Sequence, residues 1–290
     1  RAIAVLDRTK EPGAPGDPLW LDVVAAVAEA RRTRSLPLAA EPVVVAGRYG
    51  LSSKELTPAM LVAVFANLAA DVPRSGFTLG IEDDVTHRSL PYDASVRIEA
   101  EDVVRAVVFG LGSDGTVGSN KNTVKIVGEG TSQFVQGYFV YDSKKSGSVT
   151  VSHLRFGPRP IRSTYLVDQA HLVACHHPQF LERLEIVECA APGATLLLNA
   201  PWAPDEVWER LPAEVRAGLV EKRMRLFVID AYRLAEEVGL GKTLGTVMQA
   251  AFFLRSGVLP HDQALAAIKH SIEKSYGKRG DVVVKRNFAA

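Results

Sequence analysis

Three short segments of this sequence carry residues that could hold an anion. Residues 110–121 (GLGSDGTVGSNK) follow a β-branched run that starts at Val103, and a helical pattern reads from Asn122 onward. Glycines let backbone amides approach an anion closely, and a helix N-terminus adds partial positive charge. The candidate contacts are Gly112, Ser113, Asp114, Gly115, Thr116, Gly118 and Asn120, with Lys121 supplying a full charge. The glycine spacing fits neither a dinucleotide fingerprint nor a Walker loop. On spacing alone, phosphate binding and a plain tight turn both stay open. Residues 141–147 (YDSKKSG) place Lys144, Lys145 and Ser146 at the tip between two strand patterns. Such a tip is either a solvated hairpin turn or a second anion grip built on mobile point charges. Residues 239–242 (GLGK) join two helical patterns and end in Lys242, where a helix C-cap is the plain reading.

Other constellations carry less. Cys175, His176 and His177 suggest a metal, but adjacent residues converge poorly on one ion, and buried Cys is commonly structural. Glu82, Asp83, Asp84 and His87 could meet a divalent ion, although a polar turn explains them more simply. Two cysteines can neither build a disulfide framework nor give an iron–sulfur cluster four thiolates. Nucleophile-elbow, metalloprotease and kinase signatures are absent.

The elements that must position these residues alternate strand and helix patterns, which implies an α/β fold around a mixed, mainly parallel sheet. Strands read at 2–6, 43–47, 77–81, 103–109, 137–142, 148–156, 194–199 and 225–230. Helices read at 19–32, 58–69, 205–222, 231–238, 243–256 and 261–275, with Thr57-Pro58 as cap and first residue of the second. A proline turn near residues 90–93 separates a first domain, 1–95, from a second, 101–290. The first opens directly on a strand after Arg1 and looks truncated, so the chain reads as a piece of something longer. A 47% apolar share and a net charge of +1 fit an ordered, soluble, cytoplasmic protein and give no support to nucleic-acid or membrane roles. No apolar run reaches the roughly 18–20 residues that span a bilayer.

Further residues now carry a resemblance. Residues 6–14 (LDRTKEPGA), 47–54 (GRYGLSSK), 80–87 (GIEDDVTH), 137–147 (GYFVYDSKKSG) and 153–158 (HLRFGP), together with 110–121, resemble motifs of pyruvate:ferredoxin (flavodoxin) oxidoreductases. The likeness runs over essentially the whole chain. It implies the end of a transketolase-C-like second domain followed by a γ-like third domain. By the same resemblance, the parent enzyme decarboxylates pyruvate oxidatively to acetyl-CoA and passes electrons to ferredoxin or flavodoxin, as a homodimer. Thiamine diphosphate, magnesium and the iron–sulfur clusters would belong to its other domains, and this region would hold coenzyme A. The glycine loop, Lys121, Lys144 and Lys145 would then meet the phosphates. Thr243 stands where the family's third loop has arginine, and Lys242 beside it would partly replace that charge. The contrasting reading is a structural domain that serves as scaffold and subunit interface.

Overall fold

A computed structural model of the protein describes residues 1–141, 148–241 and 243–290. The chain divides into two compact units, Arg1–Glu99 and Ala100–Ala290. The first holds a parallel three-stranded sheet of β1 (Ala2–Asp7), β2 (Val43–Arg48) and β3 (Phe77–Thr78), in that order. Asp7 ends β1 and accepts hydrogen bonds from the amides of Leu19 and Trp20, which fixes the start of α1 (Pro18–Arg32) against the strand. Thr57 caps α2 (Pro58–Leu68) at Met60, with proline at the first helical position as the sequence implies. The cluster at residues 82–87 is a turn. Asp83 accepts from the amides of Thr86, Val85 and Arg88, and these bonds, led by the Thr86 hydroxyl, hold its carboxyl well below the usual range.

The second unit is built on a six-stranded sheet. Its strands are β4 (Val104–Leu111), β5 (Phe134–Tyr141), β6 (Val149–Gly157), β7 (Ala170–Cys175), β8 (Ala190–Asn199) and β9 (Arg225–Ile229). The order across the sheet is β5-β6-β4-β7-β8-β9. β6 runs antiparallel to both neighbours, while β4, β7, β8 and β9 pair in parallel. The sheet is therefore mixed and mainly parallel. α3 (Thr116–Gly130) crosses from β4 to β5, and β6 folds back into the gap between them.

Alternation along the strands sends side chains to two faces, each with its own core. Ala106, Val108, Leu172 and Ala174 pack with α3, α7 (Gly245–Ser256) and α8 (His261–Tyr276). Val107, Phe109, Val173 and Leu198 pack on the other face with Leu211, Val215 and Leu219. Because both faces are covered, the central strands are nearly continuous apolar runs.

Several elements differ from the sequence reading. α3 begins at Thr116 and not at Asn122, so Gly118, Asn120 and Lys121 are helical residues and not loop residues. The helix expected at 205–222 is two, α4 (Val207–Arg210) and α5 (Ala213–Glu221), parted at Leu211 and Pro212, where proline lacks the amide that would continue the ladder. β7 and the terminal helix α9 (Asp281–Ala289) go unforeseen. α6 (Ala231–Glu237) follows β9 and is capped by Asp230.

Gly110 shows how closely α3 starts upon the sheet. A Cβ built there would lie 2.4 Å from Thr116 Oγ1. Gly110→Ala is expected to push the first turn of α3 outward and destabilise the second unit by about 1–3 kcal/mol, the usual cost of overpacking. Thermal unfolding of the variant against the parent chain measures this.

Candidate anion-binding site

At the end of β4 the chain must turn sharply and open a helix whose first amides have no carbonyl partners. Gly115 makes the turn in a left-handed conformation (φ +88°), which suits glycine. Asp114 satisfies the exposed amides. One carboxylate oxygen accepts from Leu111 N at 2.9 Å, and the other accepts from Thr116 N at 2.8 Å. His177 Nε2 lies 3.0 Å from the first oxygen, and the Tyr232 hydroxyl lies 3.2 Å from that same nitrogen. Burial works against the charged carboxylate, but the bonds from His177, Leu111 and Thr116 outweigh it and hold its pKa at about 2.

A second tie runs beneath the first. Thr116 Oγ1 lies 2.6 Å from Nδ1 of the fully buried His176, whose pKa is driven down to about 4 chiefly by burial. Asn199, at the end of β8, donates to the His176 carbonyl and accepts from Ala231 N at the start of α6. Cys175 donates to the His177 carbonyl, and burial raises its thiol to about 12. Cys175, His176 and His177 thus anchor the turn. Among the described residues, no group of three His, Cys, Asp or Glu side chains could hold a metal.

The residues singled out in sequence fall into three sets. Gly115, Gly118 and Lys121 line a cavity of about 460 Å³ between α3 and the helices α7 and α8, with Ser119 and Thr243 beside them. Asp114, Thr116 and Asn120 turn inward and cannot offer their side chains there, because the first two are committed to His177 and His176 and the third is buried. Gly112 and Ser113 are exposed and lie outside that lining, and the Gly112 amide bonds the Ser148 carbonyl at 3.0 Å. Lys144, Lys145, Ser146 and Lys242 lie outside the described residues.

Lys121 lines the cavity, while its ammonium lies 5.3 Å from the ring centre of Phe139, a residue of β5 outside that lining. The opposite wall comes from α7 and α8, through residues such as Gln249 and Ser271. Gln249 donates to the Ser119 carbonyl and to Thr123 Oγ1, Asn122 donates to Gln249, and Ser271 donates to Asn122. This chain of amides and hydroxyls joins α3, α7 and α8. Its one signal in sequence is Gln249 within the apolar run 247–254. A separate cavity of about 360 Å³ opens at the carboxyl ends of β7 and β8, walled by His177, Asn199, Trp202, Arg210 and Tyr232. That is where open parallel sheets place their crevice, and the His177–Asp114 pair links it to the turn.

With the geometry in place, the likenesses become informative. The model of the "Pyruvate ferredoxin/flavodoxin oxidoreductase" family matches residues 105–290. The chain belongs to this family. A pyruvate-flavodoxin oxidoreductase of Nostoc sp. is 57% identical over 295 residues, covering 100% of this chain and 25% of the relative. A pyruvate:ferredoxin oxidoreductase of Moorella thermoacetica is 50% identical over 290 residues, covering 100% of this chain and 24% of the relative. This family member thus spans about a quarter of the length of the curated relatives it matches. The crystal structure of pyruvate oxidoreductase subunit PORC from Thermotoga maritima superposes on 65% of this chain and 93% of its own, with TM-score 0.52 and 18% identity. That likeness shows a shared α/β fold over the part of the chain it covers. No helix among the described residues is long and apolar enough to cross a membrane.

The buried groups set a pH signature for this family member. His153 and His176 both have pKa values lowered to about 4, mainly by burial, below the ordinary 6.5, so the unfolded chain takes up protons first as pH falls. Their contribution is complete above about pH 6.5 and is lost toward pH 4, on the order of 3 kcal/mol for each. Asp114, at about 2, adds a second loss between pH 4 and 2. Urea unfolding across this range should show both steps, and His176→Gln should shrink the first.

Proposed function

We propose that residues 100–290 form the coenzyme A-binding module of an oxidoreductase that decarboxylates pyruvate oxidatively to acetyl-CoA. The observation that carries this reading is the cavity in which Gly115, Gly118, Ser119 and Lys121 share one wall of α3 and Thr243 stands beside them. Coenzyme A brings a diphosphate and a 3′-phosphate. The Gly118 amide precedes the helix's own hydrogen-bond ladder, and Lys121 adds a full charge one turn along. Ser275 and Tyr276 on the facing helix add hydroxyls suited to ribose and phosphate oxygens. Asp114 fills the tip of α3, so the phosphate sits along the first two turns and not on the loop. Lys144, Lys145 and Lys242 would add charge from neighbouring segments. Arginine's planar fork is missing at Thr243, so recognition there rests on point charge.

The rest of the reaction belongs to the remainder of the parent protein. Its partners are those domains, a second copy in a homodimer, and ferredoxin or flavodoxin as electron acceptor, in the cytoplasm. Thiamine diphosphate with magnesium would supply the carbanion chemistry and iron–sulfur clusters the electron path, both outside this chain. Two cysteines, with thiols raised to about 12 by burial, do not fit a cluster that needs four thiolates. Residues 1–99 would be the end of the preceding transketolase-C-like domain.

A scaffold reading draws support from the inward commitment of Asp114 and Thr116. The two readings separate at Lys121. In the intact enzyme at fixed salt, Lys121→Ala should weaken coenzyme A roughly ten- to a hundredfold if one charge-assisted phosphate contact is lost. Pantetheine, which lacks the phosphates, should bind equally to both forms. Equal weakening of both ligands, or of neither, would favour the scaffold. The chain by itself should show no pyruvate turnover and no reduction of ferredoxin or flavodoxin, and measurable turnover by the pure chain would refute the division of labour.

A further inference from the structure

Three buried polar atoms of the second unit have no hydrogen-bond partner among the described residues: Asn120 Nδ2, Thr150 Oγ1 and Ser152 Oγ. Their residues are 6%, 1% and 0% exposed, so bulk solvent does not satisfy them. They also lie in one layer. Thr150 and Ser152 are two apart on β6 and share a face. Thr150 stands opposite Gly110 of β4 and Tyr141 of β5, and Ser152 stands opposite Val108 and Phe139. α3 packs on this face. Its Thr116 rests on Gly110 and its Lys121 lies over Phe139, at the places noted above. Asn120 is buried one turn beyond Thr116, so it turns to the same side of the sheet as the two hydroxyls.

Left dry, each orphaned group would cost the desolvation of a buried polar atom, and three of them together would consume much of a domain's net stability. Direct pairing does not relieve them, since each atom lacks a protein partner. We propose an enclosed site for ordered water between α3 and β6. One molecule accepts from Asn120 Nδ2 and donates its two protons to Thr150 Oγ1 and Ser152 Oγ. Three bonds are the usual complement of a buried water. The bridge fixes the second turn of α3, which carries Lys121, to the strand that follows residues 142–147. This inference is independent of the coenzyme A reading.

A crystal structure of the chain, or of the enzyme containing it, should show a density peak within hydrogen-bond distance of all three atoms. Thr150→Val combined with Ser152→Ala keeps shape while removing both hydroxyls. In that variant the peak should vanish, and water-oxygen magnetic relaxation dispersion should count one fewer long-lived water. Amide exchange in the first two turns of α3 should quicken roughly two- to tenfold, the worth of one ordinary hydrogen bond. Should the double variant fail to fold, Ser152→Ala alone carries the same comparison. A dry, empty layer in the unaltered protein, or an unchanged count of long-lived waters in a folded variant, would overturn the proposal.

Discussion

The carboxylate of Asp114 is the interaction on which the second unit's functional end depends. A strand that stops and a helix that starts within four residues leave amides facing one another with no carbonyls to take them. Asp114 answers with both oxygens, reaching back to Leu111 and forward to Thr116, and its charge sits where the α3 dipole favours it. Desolvation is the largest single effect on that group and opposes ionisation, yet the hydrogen bonds win. Everything downstream inherits this choice. The turn is closed by the protein's own anion, so α3 is fixed in direction, its tip carries a negative charge, and the residues one turn on are the ones that face the cavity.

The mainly parallel sheet explains why so many polar side chains meet at this point. Parallel strands end on the same side, so Leu111, Cys175, Asn199 and Ile229 finish within two residues of one another in register. Their successors then tie neighbouring strand ends together: Thr116 to His176, Asn199 to His176 and to Ala231, His177 to Asp114 and towards Tyr232. The Thr116 and Asn199 links are buried and the His177 links partly so, and a buried link left unsatisfied is costly. The reversed strand β6 introduces a different requirement. It inserts Thr150 and Ser152 opposite Gly110, Val108, Phe139 and Tyr141 of its two antiparallel neighbours, and the proposed water would supply the missing partners.

The architecture was legible where local chemistry decides. Thr57-Pro58 announces its helix, and β-branched runs mark β1, β2, β4, β6 and β9. β7 escaped because its pattern is short, contains His171 and ends at Cys175, and the Cys175-His176 pair reads as chemistry when it is the buried end of a central strand. α3 began six residues earlier than periodicity suggested, since Gly118, Ser119 and Asn120 are poor helix formers that only tertiary packing keeps helical. That shift changed the site. A loop with every donor facing outward became a helix with two faces, one toward the cavity through Gly118 and Lys121, the other toward the sheet through Thr116 and Asn120. The family resemblance was legible in the motifs because long stretches of type and spacing survive together. The sidedness of those motifs was not legible, since it comes from Gly110 and from His176, far apart in sequence.

Charge placement then decides where an external anion can rest. Two unit charges about 4 Å apart interact by roughly 4 kcal/mol at the effective dielectric of a protein surface. A phosphate at the tip of α3 would meet Asp114 with the unfavourable sign, and the tip amide of Thr116 is already taken. Moving the phosphate along the helix forfeits part of the dipole, worth about 0.3–1 kcal/mol, which is the smaller quantity. There it gains Lys121, whose ammonium sits over the Phe139 ring and is not held by a carboxylate among the described residues. Lys125, by contrast, already faces Glu129 at 3.8 Å. On the proposed coenzyme A reading, this balance would place a phosphate along the stretch from Gly118 to Lys121, with α7 and α8 beside it and Asp114 disfavouring the helix tip.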